Sequence, residues 1–185
     1  MVTKCYKLHN GICIKYCLLD IIGKYDRLRL EGMLCIMKNE YYDIAYNNLL
    51  FLMLNSNSNF YNHIAIFCQQ TAETMLKSVL DEISDARDNN INRLMHSSDL
   101  RVLYNQIHKV VPELVLDSSD LAMLTDYYYS ARYPGDNFVT VTKEESDECL
   151  KVTLEVVEQV NRFRKANGLE VKELSHEQLN GMQIF

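Results

Sequence analysis

Residues Phe60 to Ala86 read FYNHIAIFCQQTAETMLKSVLDEISDA. Ile64, Phe67, Cys68, Thr71, Ala72, Met75, Val79 and Ile83 recur there at steps of three and four. On a helix that spacing gathers them into one wide apolar stripe. Gln69, Glu73 and Lys77 form a polar row at i, i+4 and i+8, and Glu73 before Lys77 is the favourable order for an ion pair along a helix. The stretch predicts a long helix, the strongest in the chain.

Working upstream, Asn39 to about Leu54 places Tyr42, Ala45, Tyr46, Leu49, Leu50 and Met53 on one face and ends in Asn55-Ser56-Asn57-Ser58-Asn59. Such polar side chains compete for backbone hydrogen bonds and break a helix. Downstream, residues 87–96 read as a loop. Ser97 or Ser98 can cap a helix through about Val110, which Pro112 keeps from extending. Asp117 or Ser118 caps the next, Asp120 to about Arg132, which Pro134-Gly135 stops. Thr142 with Glu145 makes a capping box opening a helix that carries Cys149, Val152, Val156, Val160 and Phe163. Asn167-Gly168 is its natural end. Phe138 to Thr142 is a short β-prone linker, and no segment sustains the two-residue alternation of a strand. The fold class is all-α.

The 185 residues suffice for one domain with a core, and are 48% hydrophobic and 24% charged, which is globular usage. The net charge of −6 argues against tight non-specific DNA binding. Residues 1–36 carry six Lys/Arg against three Asp/Glu, whereas the remainder carries thirteen against twenty-two. Six cysteines without a CxxC pair suggest packing thiols in a reducing compartment. The apolar run Ile12 to Ile22 is interrupted by Lys15 and Asp20 and is too short for a bilayer. With no cleavage signal after it, a cytoplasmic protein with no membrane span is expected.

Three segments, in order, resemble the HEPN family (higher eukaryotes and prokaryotes nucleotide-binding). Ile64 to Lys77 is similar to that family's F-x-Q-Q-A-x-E-K-x-L-K helix. His96-Ser97-Ser98-Asp99-Leu100 with Leu103 resembles its H-D-L-x-x-L start. Tyr128 with Arg132-Tyr133-Pro134-Gly135-Asp136 resembles its Y-x-x-x-R-Y-P motif. The resemblance spans about residues 38–166 and implies an up-and-down bundle of four to five helices, commonly a homodimer. It also implies nucleotide or RNA as ligand and a minimal nucleotidyltransferase as the antitoxin partner of toxin members. The family's ribonucleases are metal-independent and pair an arginine with a histidine that follows after four to six intervening residues. Here Arg132 is followed by Tyr133, and Asn137, Phe138 and Val139 stand where the histidine is expected. Without an imidazole to carry protons near neutral pH, the resemblance implies a binding rather than a cleaving site.

The residues that would line it are Arg132, Tyr133, Asp136, Tyr128, His96, Lys77 and Glu73, with no cofactor, metal or catalytic residue assigned. Each has a plainer reading. Arg132 can hold a phosphate with its planar fork, or cap its own helix and pair with Asp126 or Asp136. Tyr127, Tyr128, Tyr129 and Tyr133 can stack on bases or serve core and dimer contacts. Glu73 and Lys77 can line a cleft, although their pattern favours a solvated helix face, and His96 can contact ligand or be polar trim. Arg101 and His108 also share a helix face and offer an alternative metal-independent endoribonuclease pair, a helix too early for the family pattern. Cys5, His9, Cys13 and Cys17 recur every four residues with zinc-binding chemistry, but Asn10-Gly11 would break a helix presenting them. A purely structural dimerisation module is a third reading.

The domain expectation is an N-terminal extension over 1–36, not folded with the domain, a HEPN-like bundle over 37–166, and a tail over 167–185 in which Ser175 and Gln178 make a weak capping box. Leu30-Glu31-Gly32 ahead of Met33 or Met37 suits a purine-rich ribosome-binding site, so the native start is Met1, Met33 or Met37. A chain beginning at Met37 is expected to melt as the full chain does in circular dichroism. A large loss of melting temperature would show that residues 1–36 belong to the fold.

Overall fold

The computed structural model describes residues 41–84, 89–133, 135 and 138–172. Six helices follow one another: α1 (Tyr41–Asn55), α2 (Tyr61–Ile83), α3 (Asn89–Leu94), α4 (Leu100–His108), α5 (Ser118–Ser130) and α6 (Lys143–Ala166). Among the described residues there is no strand, and the fold is an all-α bundle. The expectations for residues 1–36, for the zinc row Cys5, His9, Cys13 and Cys17, and for the capping box at Ser175 lie outside the described residues.

α2 is the central helix and packs against α1, α4, α5 and α6. Its buried residues run Ile64, Ala65, Cys68, Gln69, Thr71, Ala72, Met75, Leu76, Lys77, Ser78, Val79 and Leu80, which is most of the way round the cylinder rather than one stripe. A helix covered on several sides is what an apolar surplus specifies. The surplus on α2 is thus consumed within the bundle. Cys68 and Cys149, on α2 and α6, are buried free thiols. Burial pushes the Cys68 thiol up to about 12 and raises that of Cys149 further still.

The helix ends follow the expected chemistry at Thr142, Gly168 and Asp117 and depart from it at the start of α4. Thr142 Oγ1 accepts from the Glu145 amide at 3.3 Å, and the Glu145 carboxylate accepts from the Thr142 amide at 2.7 Å, completing the capping box. At the other end of α6, Gly168 has φ 69°. Its amide donates to Lys165 O and the Leu169 amide donates to Arg164 O. This pair of bonds is the Schellman closure, which glycine allows because it lacks a Cβ.

α4 is capped by Asp99, not by Ser97 or Ser98. Asp99 Oδ1 accepts from the Arg101 and Val102 amides at 2.9 and 3.3 Å, while Ser97 Oγ accepts from the Asp99 amide one step earlier. Residues 89–94, expected as loop, form α3. Leu94 joins the core and Met95 packs against it, so tertiary burial overrides the poor helix propensity of asparagines 89, 90 and 92.

α5 begins and ends two residues before its expected span, since Asp117 caps it and Ala131 closes it. Hydrogen bonds from the Ser119 hydroxyl and amide hold the Asp117 carboxyl below the usual carboxylate range. The shift leaves Arg132 beyond the helix, in the turn that follows.

Candidate functional site

The polar row of α2 is not solvated. Gln69 is fully buried and Lys77 is 6% exposed. Lys77 Nζ lies 2.6 Å from Glu73 Oε1, with the two side chains 8% and 15% exposed. Gln69 Nε2 donates to Glu73 Oε2 and to Ser98 O, each at 3.0 Å. The expectation of a solvated face fails because neighbouring helices cover α2 on the side where its charges lie. Burying an ammonium and a carboxylate is tolerable only when they neutralise each other and their remaining valences are filled. Glu73 meets that requirement with both oxygens. The bond to Ser98 O also ties α2 to the turn that opens α4.

Arg132 stands where the α5 turn faces this row. Its Nη1 donates to the Tyr128 hydroxyl, and its guanidinium carbon lies 5.0 Å from the centroid of Tyr128 and 5.3 Å from that of Tyr133. A planar cation between two rings gains from both π faces. No ion pair joins Arg132 to Asp126 among the described residues, and Asp136, the other expected partner, lies outside them. Tyr128 meets Tyr129 edge-on at 5.2 Å. Burial raises the Tyr128 hydroxyl, Arg132 opposes that rise, and the Glu73 carboxylate adds to it. Glu73 is therefore close enough for its charge to act on Tyr128, and four of the seven candidates (Glu73, Lys77, Tyr128 and Arg132) occupy one neighbourhood. Tyr133 extends it outward and is 57% exposed.

Of the other two candidates, His96 alone lies among the described residues. His96 is exposed in the turn after α3, and no hydrogen bond, ion pair or ring contact links it to Glu73, Lys77, Tyr128 or Arg132. Asp136 lies outside the described residues.

Asn62 was not legible as a site residue, and it shapes the segment that carries Arg132. From the first turn of α2 its Nδ2 donates to Ala131 O and Val139 O, at 3.3 and 2.9 Å. Its Oδ1 accepts from the Val141 amide at 3.0 Å. One amide side chain thus pins the backbone on both sides of the arginine turn. No signal in the sequence flags it, because its partners lie 69 to 79 positions away.

The alternative pair is engaged elsewhere. Arg101 is half-exposed, 3.8 Å from Asp99, and lines an open groove of about 660 Å³ with Ser118, Ala122, Met123, Asp126 and Tyr127. His108 Nδ1 lies 3.0 Å from Leu114 O, a carbonyl that can only accept, so Nδ1 carries the proton. Among the described residues no group of three His, Cys, Asp or Glu could hold a metal ion.

The class defined so far is an all-α bundle with a buried charged row facing an arginine–tyrosine turn. The HEPN domain model matches residues 39–163, and the chain belongs to the HEPN family, a helical, nucleotide- and RNA-related group of domains. No curated protein and no solved structure matches the chain significantly. No helix among the described residues is long and apolar enough to cross a membrane.

Removing one member of the buried pair leaves the other charged and unpartnered. Glu73→Ala is therefore expected to cost about 3–5 kcal/mol in urea unfolding. The Glu73→Gln/Lys77→Met double variant should cost much less than either single truncation. Equal losses for the double and the single variants would show that the two charges do not compensate each other.

Proposed function

We propose that the chain binds a nucleotide or RNA at the Arg132 turn and does not cleave it. The observation that carries this reading is the guanidinium of Arg132 held over the rings of Tyr128 and Tyr133. A guanidinium placed by ring faces has spent part of its rotamer entropy, and its planar fork carries five N–H donors, more than the one bond to Tyr128 uses. The exposed ring of Tyr133 offers a base a stacking surface. Lys77 is neutralised by Glu73, so the site adds little net positive charge, which suits one phosphate better than a long backbone track. The absence of a histidine after Arg132 supports binding without cleavage.

The finer family expectations belong to the same proposal: a homodimer in the cytoplasm, acting beside a minimal nucleotidyltransferase. For the dimer, the support is the outward face of α5, where Ala122, Met123 and Tyr127 line an open groove. Equilibrium sedimentation at micromolar concentration is expected to give twice the 21.6 kDa chain mass. A single species at that mass itself would remove the dimer from the proposal.

For the site, Arg132→Ala is expected to weaken binding of a nucleotide or a short labelled RNA by about 1–3 kcal/mol, the scale of a hydrogen bond to a charged group. Arg132→Lys should recover only part of that loss, because an ammonium cannot reproduce a two-pronged contact. The wild type should release no more RNA fragments than Arg132→Ala does. If Arg132→Ala instead lowers only the melting temperature, and neither protein binds nucleotide, the arginine serves the turn alone. If the wild type cleaves RNA and His108→Ala abolishes it, the endoribonuclease reading replaces this one.

A further inference from the structure

Beyond the residues that the family model matches, the chain after α6 doubles back onto α1, and the contacts there are dense. Arg164, buried on the last turn of α6, donates from Nε to Glu170 O at 2.8 Å. Its Nη1 lies 3.3 Å from the Glu82 carboxylate on α2, and its guanidinium carbon is 3.9 Å from the ring centroid of Tyr42 on α1. The Lys172 amide donates to the Tyr42 hydroxyl at 3.0 Å. That hydroxyl in turn donates to Asn161 Oδ1 on α6 at 2.8 Å. The Lys172 ammonium pairs with Asp43, a buried carboxylate, and sits 5.6 Å from the centroid of Tyr46. The reversal is enabled by the left-handed Gly168.

We infer that residues 169–172 are a latch that holds α1 in the bundle. The case rests on how α1 is supported. Its extensive helix-to-helix packing is against α2, whereas α2 has α4, α5 and α6 around it as well. The second support of α1 is this strap, which reaches its first two residues of core, Tyr42 and Asp43, from the far end of the sequence. Opening the strap removes the only cation paired with Asp43 among the described residues and takes Glu170 O from Arg164, so buried charges lose their partners together. That makes the closed state cooperative. It also makes it dependent on the positive charge of Lys172, a side chain still about a quarter exposed and so within reach of solvent. Opening loosens the start of α1, which keeps its packing on α2, and leaves the contacts among α2, α4, α5 and α6 in place, because none of them passes through the strap. The latch is independent of the Arg132 turn, which lies among α2 and α5.

Hydrogen exchange of the full chain tests this, comparing the wild type with Lys172→Glu, Lys172→Gln and the swap Asp43→Lys/Lys172→Glu. Lys172→Glu sets two carboxylates against each other, and α1 amides should exchange about tenfold faster or more, as a locally opened unit does, with α4 and α5 unchanged. Lys172→Gln should give a smaller acceleration at the same amides, and serves alone if Lys172→Glu does not fold. The swap should return α1 toward wild-type protection. Unchanged α1 exchange in Lys172→Gln and Lys172→Glu would overturn the latch. So would equal acceleration of α1, α4 and α5, which would make the strap a general support rather than a local one.

Discussion

Lys77 and Glu73 lie against neighbouring helices because four of them pack around α2 and leave it only a narrow outward stripe. A helix enclosed by four others must either be apolar all round or neutralise every charge it carries inside the protein. This chain does the second, with Glu73 between Lys77 and Gln69, and much of the remaining arrangement depends on it. The Gln69 amide reaches Ser98 O and so fixes where the chain turns into α4. The charge on Glu73 is felt by Tyr128 and so reaches the arginine turn. A core built wholly from leucine and valine would hold the helices together without specifying which face of α2 meets that turn. Gln69 Oε1 is left without a partner inside this network, and the structure offers no physical account of it.

The turn itself is held by backbone rather than by charge. Asn62 bonds to residues on either side of it, and Thr125 Oγ1, one turn earlier on α5, accepts from the Leu100 amide while donating to Leu121 O. The Tyr127 hydroxyl, raised by burial, lies near enough to Glu145, the residue that closes the capping box of α6, to be raised further by it and to add to the lowering that the Thr142 amide gives the Glu145 carboxyl. The carboxylate that starts one helix therefore also acts on the side of another. Consecutive tyrosines in the run thus serve separate tasks: Tyr127 braces α6, Tyr128 backs the arginine, and Tyr129 and Tyr133 present rings to solvent.

Periodicity and end signals made the long helices legible, and the three-segment resemblance made the family legible. Thr142, Glu145 and Gly168 act as their identities indicate because capping is local: the donor and acceptor lie within a few residues of each other. What escaped was not local. The burial of Lys77 depends on helices that follow it in sequence, and a 3.6-residue pattern cannot reveal what those helices will cover. α3 was hidden because its asparagines argue against helix while its stabilisation comes from Leu94 in a distant core. Asn62 acts across 69 to 79 positions. Arg132 falls outside α5 because the helix closes at Ala131, three residues before Pro134, and a proline marks where a helix must have stopped, not how far short of it the helix ends.

The thiols of Cys68 and Cys149 lie in the interface where α2 meets α6, shut away from solvent. With the Cys68 pKa near 12, only about one molecule in 10⁵ carries its thiolate at neutral pH, and the thiolate is the form that reacts. Both groups are inert while that interface is closed and become ordinary thiols once it parts. The protein thus carries a built-in reporter: an alkylating reagent consumes these two sulfurs only through forms in which the central seam is open, in proportion to how much of the protein is open when reclosing outpaces the reagent.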